Sequence, residues 1–247
     1  MTSWRCFVAS GLMALLTIGC GNAANPPGEY AQQAVQESNV AQLLTEAQTI
    51  QKVDSLFLQA NNLFNAHNYS DAIVIYDRVL AIRPSFAEGW INRGNALTAV
   101  GNYKDAIASY DNAINVNPRS DEAWYNRGNV LRILKRYEDA VASYGKAIDI
   151  KPDKDEAWIN RGIALTKLER YQDAIIAYEN AIKINPKKDI TYYNKACTYA
   201  LQNNVKLSIE NLEQAIKLAP SKYKKLAKTD SDFIKIRQDK GFQALLD

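Results

Sequence analysis

Four asparagines stand 34 residues apart, at Asn92, Asn126, Asn160 and Asn194. Asparagine is a poor residue in mid-helix, because its side chain competes for backbone hydrogen bonds. Its recurrence at one position implies a compensating gain. A carboxamide carries a carbonyl acceptor and an NH2 donor. That pair can satisfy the N–H and C=O of an extended peptide whatever its side chains. It can equally bond a neighbouring structural unit or water. Asn95 and Asn129 lie three residues beyond two of the four, and Phe57, Ile91, Tyr125, Ile159 and Tyr193 share the register position before the row. Those side chains either make pockets for a ligand or pack one unit on the next.

This is chemistry of recognition. The chain has one histidine, in a turn at His67. It has no paired acid and base, no nucleophile with a base, no Cys/His cluster at metal-ligand spacing and no phosphate-binding glycine loop. The expectation is a protein that is not an enzyme and takes no metal, cofactor or small-molecule substrate. A net charge of +3 over 247 residues gives no case for nucleic acid.

The asparagines ride on a larger period. Trp90, Trp124 and Trp158, continued by Tyr192, keep the same 34-residue step. So do Pro84, Pro118, Pro152, Pro186 and Pro220, the glycines Gly94, Gly128 and Gly162, and the tyrosines Tyr110, Tyr144 and Tyr178. A period of this length decides the fold before any local motif. Trp90, Gly94 and Leu97 mark one face of a first helix. Gly101-Asn102 breaks it. Ala106, Tyr110 and Ala113 mark a second helix, which Asn117-Pro118 ends. Gly94 and Ala106 let two backbones approach, with Trp90 and Tyr110 filling the space beside them. The three tryptophans therefore read as core. One such pair cannot bury its apolar faces alone, but stacked pairs can.

Trp90, Gly94, Leu97, Ala106, Tyr110 and Pro118 resemble the tetratricopeptide repeat (TPR) pattern W-x2-L-G-x2-Y, A-x3-F, P. Repeats 87–120, 121–154 and 155–188 fit well, and 53–86 and 189–222 fit loosely. The resemblance implies an all-α, right-handed solenoid of about five helix-turn-helix repeats with a helical C-terminal cap. It also implies a concave surface, lined by first helices, where peptides bind. Carried over, the groove residues are Asn92, Asn126, Asn160, Asn194, Asn95, Asn129, Tyr125 and Tyr193. The row is similar to the asparagine ladders by which some helical solenoids hold extended chains. Arg132 and Lys167 are the basic residues on that face in the three good repeats, too few for a clamp on a partner's C-terminal carboxylate. Where the family has leucine before the glycine, this chain has Arg93, Arg127 and Arg161. Their stems can cover apolar surface, with Asp105, Asp139 and Asp173 as candidate partners.

The flanks differ from the repeats. Residues 1–19 read as a signal peptide, with Arg5 before an apolar run too short to span a bilayer. Leu16-Thr17-Ile18-Gly19-Cys20 resembles a bacterial lipobox, so Cys20 is the expected lipidated N-terminus. Residues 20–38 read as a flexible tether, since they lack large apolar side chains, and 39–52 as an N-terminal helix. Cys197 reads as a small buried hydrophobe. Ten lysines against three acids fall between Lys183 and Lys228. Lys222, Lys224, Lys225 and Lys228 form a basic patch that is either a solvated cap or a site for an acidic partner or headgroup. Residues 223–247 resemble the cap that follows bacterial TPR arrays, with Phe233, Ile236, Phe242 and Leu245 covering the solenoid's end.

The expectation is an exported, envelope-located, lipid-anchored scaffold facing the periplasm, or else a secreted or soluble periplasmic one. It binds an extended segment of a partner in the groove. The alternative is an assembly chaperone for a membrane complex, docking by its convex or basic C-terminal surface.

Overall fold

The computed structural model describes residues 27–247. The signal-peptide reading of 1–19 and the lipidation reading of Cys20 lie outside the described residues. The chain divides into two units, residues 1–51 and 52–247. Among the described residues every element is helical. Helix α1 spans Pro27–Asn65, α2 Tyr69–Ile82, α3 Ala87–Ala99, α4 Tyr103–Val116, α5 Asp121–Ile133 and α6 Tyr137–Ile150. Then come α7 Asp155–Lys167, α8 Tyr171–Ile184, α9 Asp189–Leu201, α10 Val205–Leu218 and α11 Pro220–Thr229. A 3-10 turn at Ser231–Ile236 and α12 at Lys240–Leu246 close the chain.

In the first unit the tether expectation is corrected: residues 27–38 belong to α1. Pro27 opens the helix, where its missing N–H has no intrahelical partner to lose. The following run of Ala, Gln and Glu consists of good helix formers. Absence of large apolar side chains excludes a core, not a helix. Leu43, Leu44 and Ile50 on the same helix are exposed.

The second unit stacks helix pairs into an all-α solenoid. Each pair is joined by a turn with one residue at positive φ: His67, Gly101, Lys135, Glu169 and Asn203. These five keep the 34-residue step. The next N–H then reaches back into the finished helix, as from Asn102 to the Leu97 carbonyl at 2.9 Å and from Arg136 to that of Leu131 at 2.8 Å.

Inside each good repeat a tyrosine lies against a glycine. A Cβ on Gly94, Gly128 or Gly162 would stand 2.6, 2.7 or 2.5 Å from the Cε1 of Tyr110, Tyr144 or Tyr178. All three rings are fully buried. The tryptophans are not, which corrects the core reading. Trp90, Trp124 and Trp158 are half-buried, and their indole N–H groups donate to the carbonyls of Pro84, Pro118 and Pro152 at 2.8, 3.1 and 2.9 Å. Each sits in the first turn of its helix, level with the turn that precedes it, and the indole N–H needs an acceptor there. Tyr192 makes the same bond to Pro186 at 3.1 Å.

Successive first helices touch one another more closely than successive second helices do. The stack therefore curves with first helices on its concave side. The C-terminal cap begins at Pro220, three residues before the expected boundary. Tyr223, Phe233, Ile236, Phe242 and Leu246 are buried against α9 and α10, and Leu245 only partly so.

Candidate functional site

The asparagine row lies on α3, α5, α7 and α9. Asn92 Nδ2 donates to Asn61 Oδ1 at 3.1 Å, Asn126 to Asn95 at 3.0 Å and Asn160 to Asn129 at 3.0 Å. Each accepting oxygen also takes a buried tyrosine hydroxyl from its own repeat: Tyr76 at 2.6 Å, Tyr110 at 2.8 Å and Tyr144 at 2.8 Å. So a tyrosine, an asparagine and the next repeat's asparagine form one unit. It bridges two repeats and satisfies the hydroxyl of a buried ring. Burial pushes the Tyr76 and Tyr110 phenols up to about 12.

The ladder stops at Ile163, which stands where Asn95 and Asn129 stand earlier. Asn194 Nδ2 is consequently buried without a partner. There a threonine pair takes over, Thr166 Oγ1 lying 2.9 Å from Thr198 Oγ1. What the ladder leaves for a ligand is the remainder of each amide, including one N–H of Asn92 and one of Asn126. Among the described residues no protein group bonds the Oδ1 of Asn92, Asn126 or Asn160, or the Nδ2 of Asn95 or Asn129. A cleft of about 310 Å³ opens at the start of the row, lined by Asn61, Phe64, Asn65, Tyr76, Asn92 and Asn95.

The flanking position is mainly packing. Ile91, Ile159 and Tyr193 are buried. Tyr193 stacks on Tyr223 at 4.8 Å and donates to Asp230 Oδ2 at 2.7 Å, so it joins the cap rather than lining a groove. Tyr125 is half-buried, accepts from Asn160 at 3.1 Å and carries Lys154 Nζ 4.5 Å above its ring. Arg132 Nε is buried without a partner, and Lys167 is exposed.

Two of the three arginines before the glycines meet acids of the preceding repeat other than Asp105, Asp139 and Asp173. Arg93 Nε donates to Asp77 at 2.6 Å and Arg127 Nε to Asp111 at 2.7 Å. Asp105 instead bonds Asn102, while Asp139 and Asp173 pair with Arg136 and Arg170 within their own helix starts. The stagger of successive pairs sets this choice. It brings the preceding second helix to the arginine, whereas Asp105 sits at the far end of its own.

In the basic C-terminal run, Lys188, Lys195 and Lys222 are paired with acids. Lys222 bonds Asp189 at 2.9 Å and holds that carboxyl below its ordinary range. Lys225 and Lys228 are exposed and Lys224 half-buried, and none has a carboxylate partner among the described residues. Cys197 is buried, and burial pushes its thiol well above its usual value, which suits packing rather than nucleophilic attack. Among the described residues no group of His, Cys, Asp or Glu is arranged to hold a metal ion. No described helix is long and apolar enough to cross a membrane.

Tetratricopeptide repeat family models match residues 91–155, 155–188 and 190–222. The chain belongs to the tetratricopeptide repeat family. Among curated proteins nothing matches its sequence. Solved structures with this TPR fold include YrrB, described as a TPR protein with an unusual peptide-binding site. YrrB is 24% identical, with 67% of this chain and 85% of that one covered and a TM-score of 0.60. MamA from Desulfovibrio magneticus RS-1 is 19% identical over 69% of this chain and 96% of that one, with a TM-score of 0.65. Another MamA structure is 22% identical over 67% and 96%, with a TM-score of 0.63. At these identities the likeness is one of fold.

The TPR pattern did not point to Asn61, Asp77 or Asp111. A signal was present, since Asn61, Asn95 and Asn129 keep the 34-residue step, as do Asp77 and Asp111. It was obscured because Asn61 belongs to a repeat that fits the pattern loosely.

Proposed function

We propose that this TPR chain is a non-enzymatic assembly scaffold, a chaperone for a membrane complex that docks partner proteins through its convex or basic C-terminal surface. The observation that carries the reading is the engagement of the asparagine row. Three of its four amide donors already bridge repeats. At least one N–H of each of these amides is thereby committed to holding repeats together, and both N–H groups of Asn160 are, so the row serves the stack first. Unpaired lysines at the C-terminal end offer an acidic partner protein a surface that is not internally neutralised.

The envelope location rests on residues 1–20. Cys20→Ser is expected to release the protein from membranes. Unchanged sedimentation with them would remove the anchor from the account.

A second reading keeps an extended peptide in the groove. It is favoured by the free Oδ1 and Nδ2 atoms, by the cleft at Asn61 and Asn92, and by the description of YrrB. One capture experiment separates the two. The chain, an Asn92/Asn126/Asn160/Asn194→Ala variant and a Lys224/Lys225/Lys228→Gln variant are each used to capture partners from envelope extract. Circular dichroism first shows equal folding. The docking reading expects partners to survive the first variant and weaken with the second, more at low salt than at high. Loss with the first variant alone would establish the groove instead.

A further inference from the structure

A row of ion pairs runs along the outside of the stack, and one rung lacks its acid. Asp77 meets Arg93 at 2.6 Å, Asp111 meets Arg127 at 2.7 Å and Glu179 meets Lys195 at 3.0 Å. The register puts Arg161 in the rung between the last two, and Gly145 stands where the acid should be. A second partner is missing too. Arg93 Nη1 donates to Ser109 at 2.8 Å and Arg127 Nη1 to Ser143 at 2.7 Å. The corresponding residue for Arg161 is Ala177.

Arg161 nonetheless keeps the pose of its sisters. Its guanidinium carbon lies 5.8 Å from the Trp158 ring centre, against 5.9 Å for Arg93 over Trp90 and for Arg127 over Trp124. Its Nε is buried and has no hydrogen-bond partner. A Cβ added at Gly145 would meet nothing within 4 Å, so no neighbouring atom occupies the root of the absent side chain. An unmet buried donor on a cation is unfavourable, and a guanidinium fork matches a carboxylate.

We propose that Arg161, held over Trp158 beside the open position at Gly145, is a slot for an Asp or Glu side chain of a partner protein. The partner supplies from outside the carboxylate that the neighbouring rungs supply from within. The position between second helices α6 and α8 puts the slot on the convex side. The proposal rests on the convex docking reading and gives it a chemical contact. A carboxylate is favoured over other anions because each neighbouring rung holds one.

The test is side-chain NMR of the arginine Nε–H groups in the full-length chain. It is titrated with N-acetyl-glutamate methylamide, with the glutamine counterpart and with inorganic phosphate. The expected result is a saturable shift of the Arg161 signal with the acid and none with the amide. Arg93 and Arg127, already paired, should not move. Gly145→Asp should abolish the response, because its own carboxylate fills the slot. No saturable Arg161 shift, equal shifts at all three arginines, or a response to phosphate alone would overturn the proposal. So would a Gly145→Asp chain that still responds. The titration of the unaltered chain decides even if that variant misfolds. No partner protein is present, so failure here leaves the docking reading standing. Failure of the docking reading, in turn, would leave the slot measurable.

Discussion

Asn126 donates to Asn95 at 3.0 Å, on the oxygen that also accepts Tyr110 at 2.8 Å. One carbonyl thus serves a bond within a repeat and a bond between repeats. Removing the two residues should therefore have unequal effects. Asn126→Ala loses one hydrogen bond, costing about 1 kcal/mol. Asn95→Ala leaves a buried hydroxyl and an amide unmet, costing about 2–3 kcal/mol. Asn194→Ala, at a site without a bond, should cost nothing measurable. Urea midpoints check the order. Equal losses at all three sites would show that the ladder does not bind the repeats.

The contact between Gly128 and Tyr144 predicts opposite outcomes at two helical glycines. Gly128→Ala forces a methyl into a buried ring and should destabilise by about 1–3 kcal/mol. Gly145→Ala has open space and should stabilise by about 0.5–1 kcal/mol, because alanine favours the helix. Thermal melts of both variants decide it.

Among the described residues, glycine fills one of the five left-handed turns, at Gly101. Lys135 and Glu169 hold φ of 58° in the equivalent turns. A side chain there is strained by about 1–2 kcal/mol. Lys135→Gly and Glu169→Gly should each raise stability by about 1 kcal/mol. A lowered melting temperature would mean that these side chains make contacts that offset the strain.

Alkaline pH should unfold the chain through its tyrosines. Burial raises the folded-state phenols of Tyr76 and Tyr110 to about 12, and those of Tyr144 and Tyr178 higher still. An acid whose folded pKa is raised contributes stability that is complete below its unfolded value, about 10. That contribution is lost as pH rises through the folded value. Melting temperature is expected to hold to about pH 10 and then fall, with tyrosinate absorbance appearing alongside unfolding. Tyrosinate formation in a chain that stays folded would contradict the packing of these rings.

The helix pairs were legible because Gly94 and Tyr110, Gly101 and Pro118 each mark a local event that repeats. The contacts between repeats were not. Whether Arg93 meets Asp77 or Asp105 depends on the stagger of one pair on the next, which a period in sequence does not contain. The same gap hid the ladder, since Asn126 and Asn95 are joined only by that stagger. The size of Trp90 suggests core, while its indole N–H requires the carbonyl of Pro84 at the surface. A lack of large apolar residues over 27–38 excludes a core there but not the start of helix α1.

Where partners touch this chain is the central claim, and site-specific photo-crosslinking in the living cell tests it most directly. A photoreactive residue is placed on the exposed second-helix and C-terminal surface, at Lys146 and Lys225, and in the groove, at Asn65 and Lys167. Discrete crosslinked partners are expected from Lys146 and Lys225, with little from Asn65 or Lys167. Strong crosslinks confined to Asn65 and Lys167 would contradict the docking reading and return the groove to the centre of function.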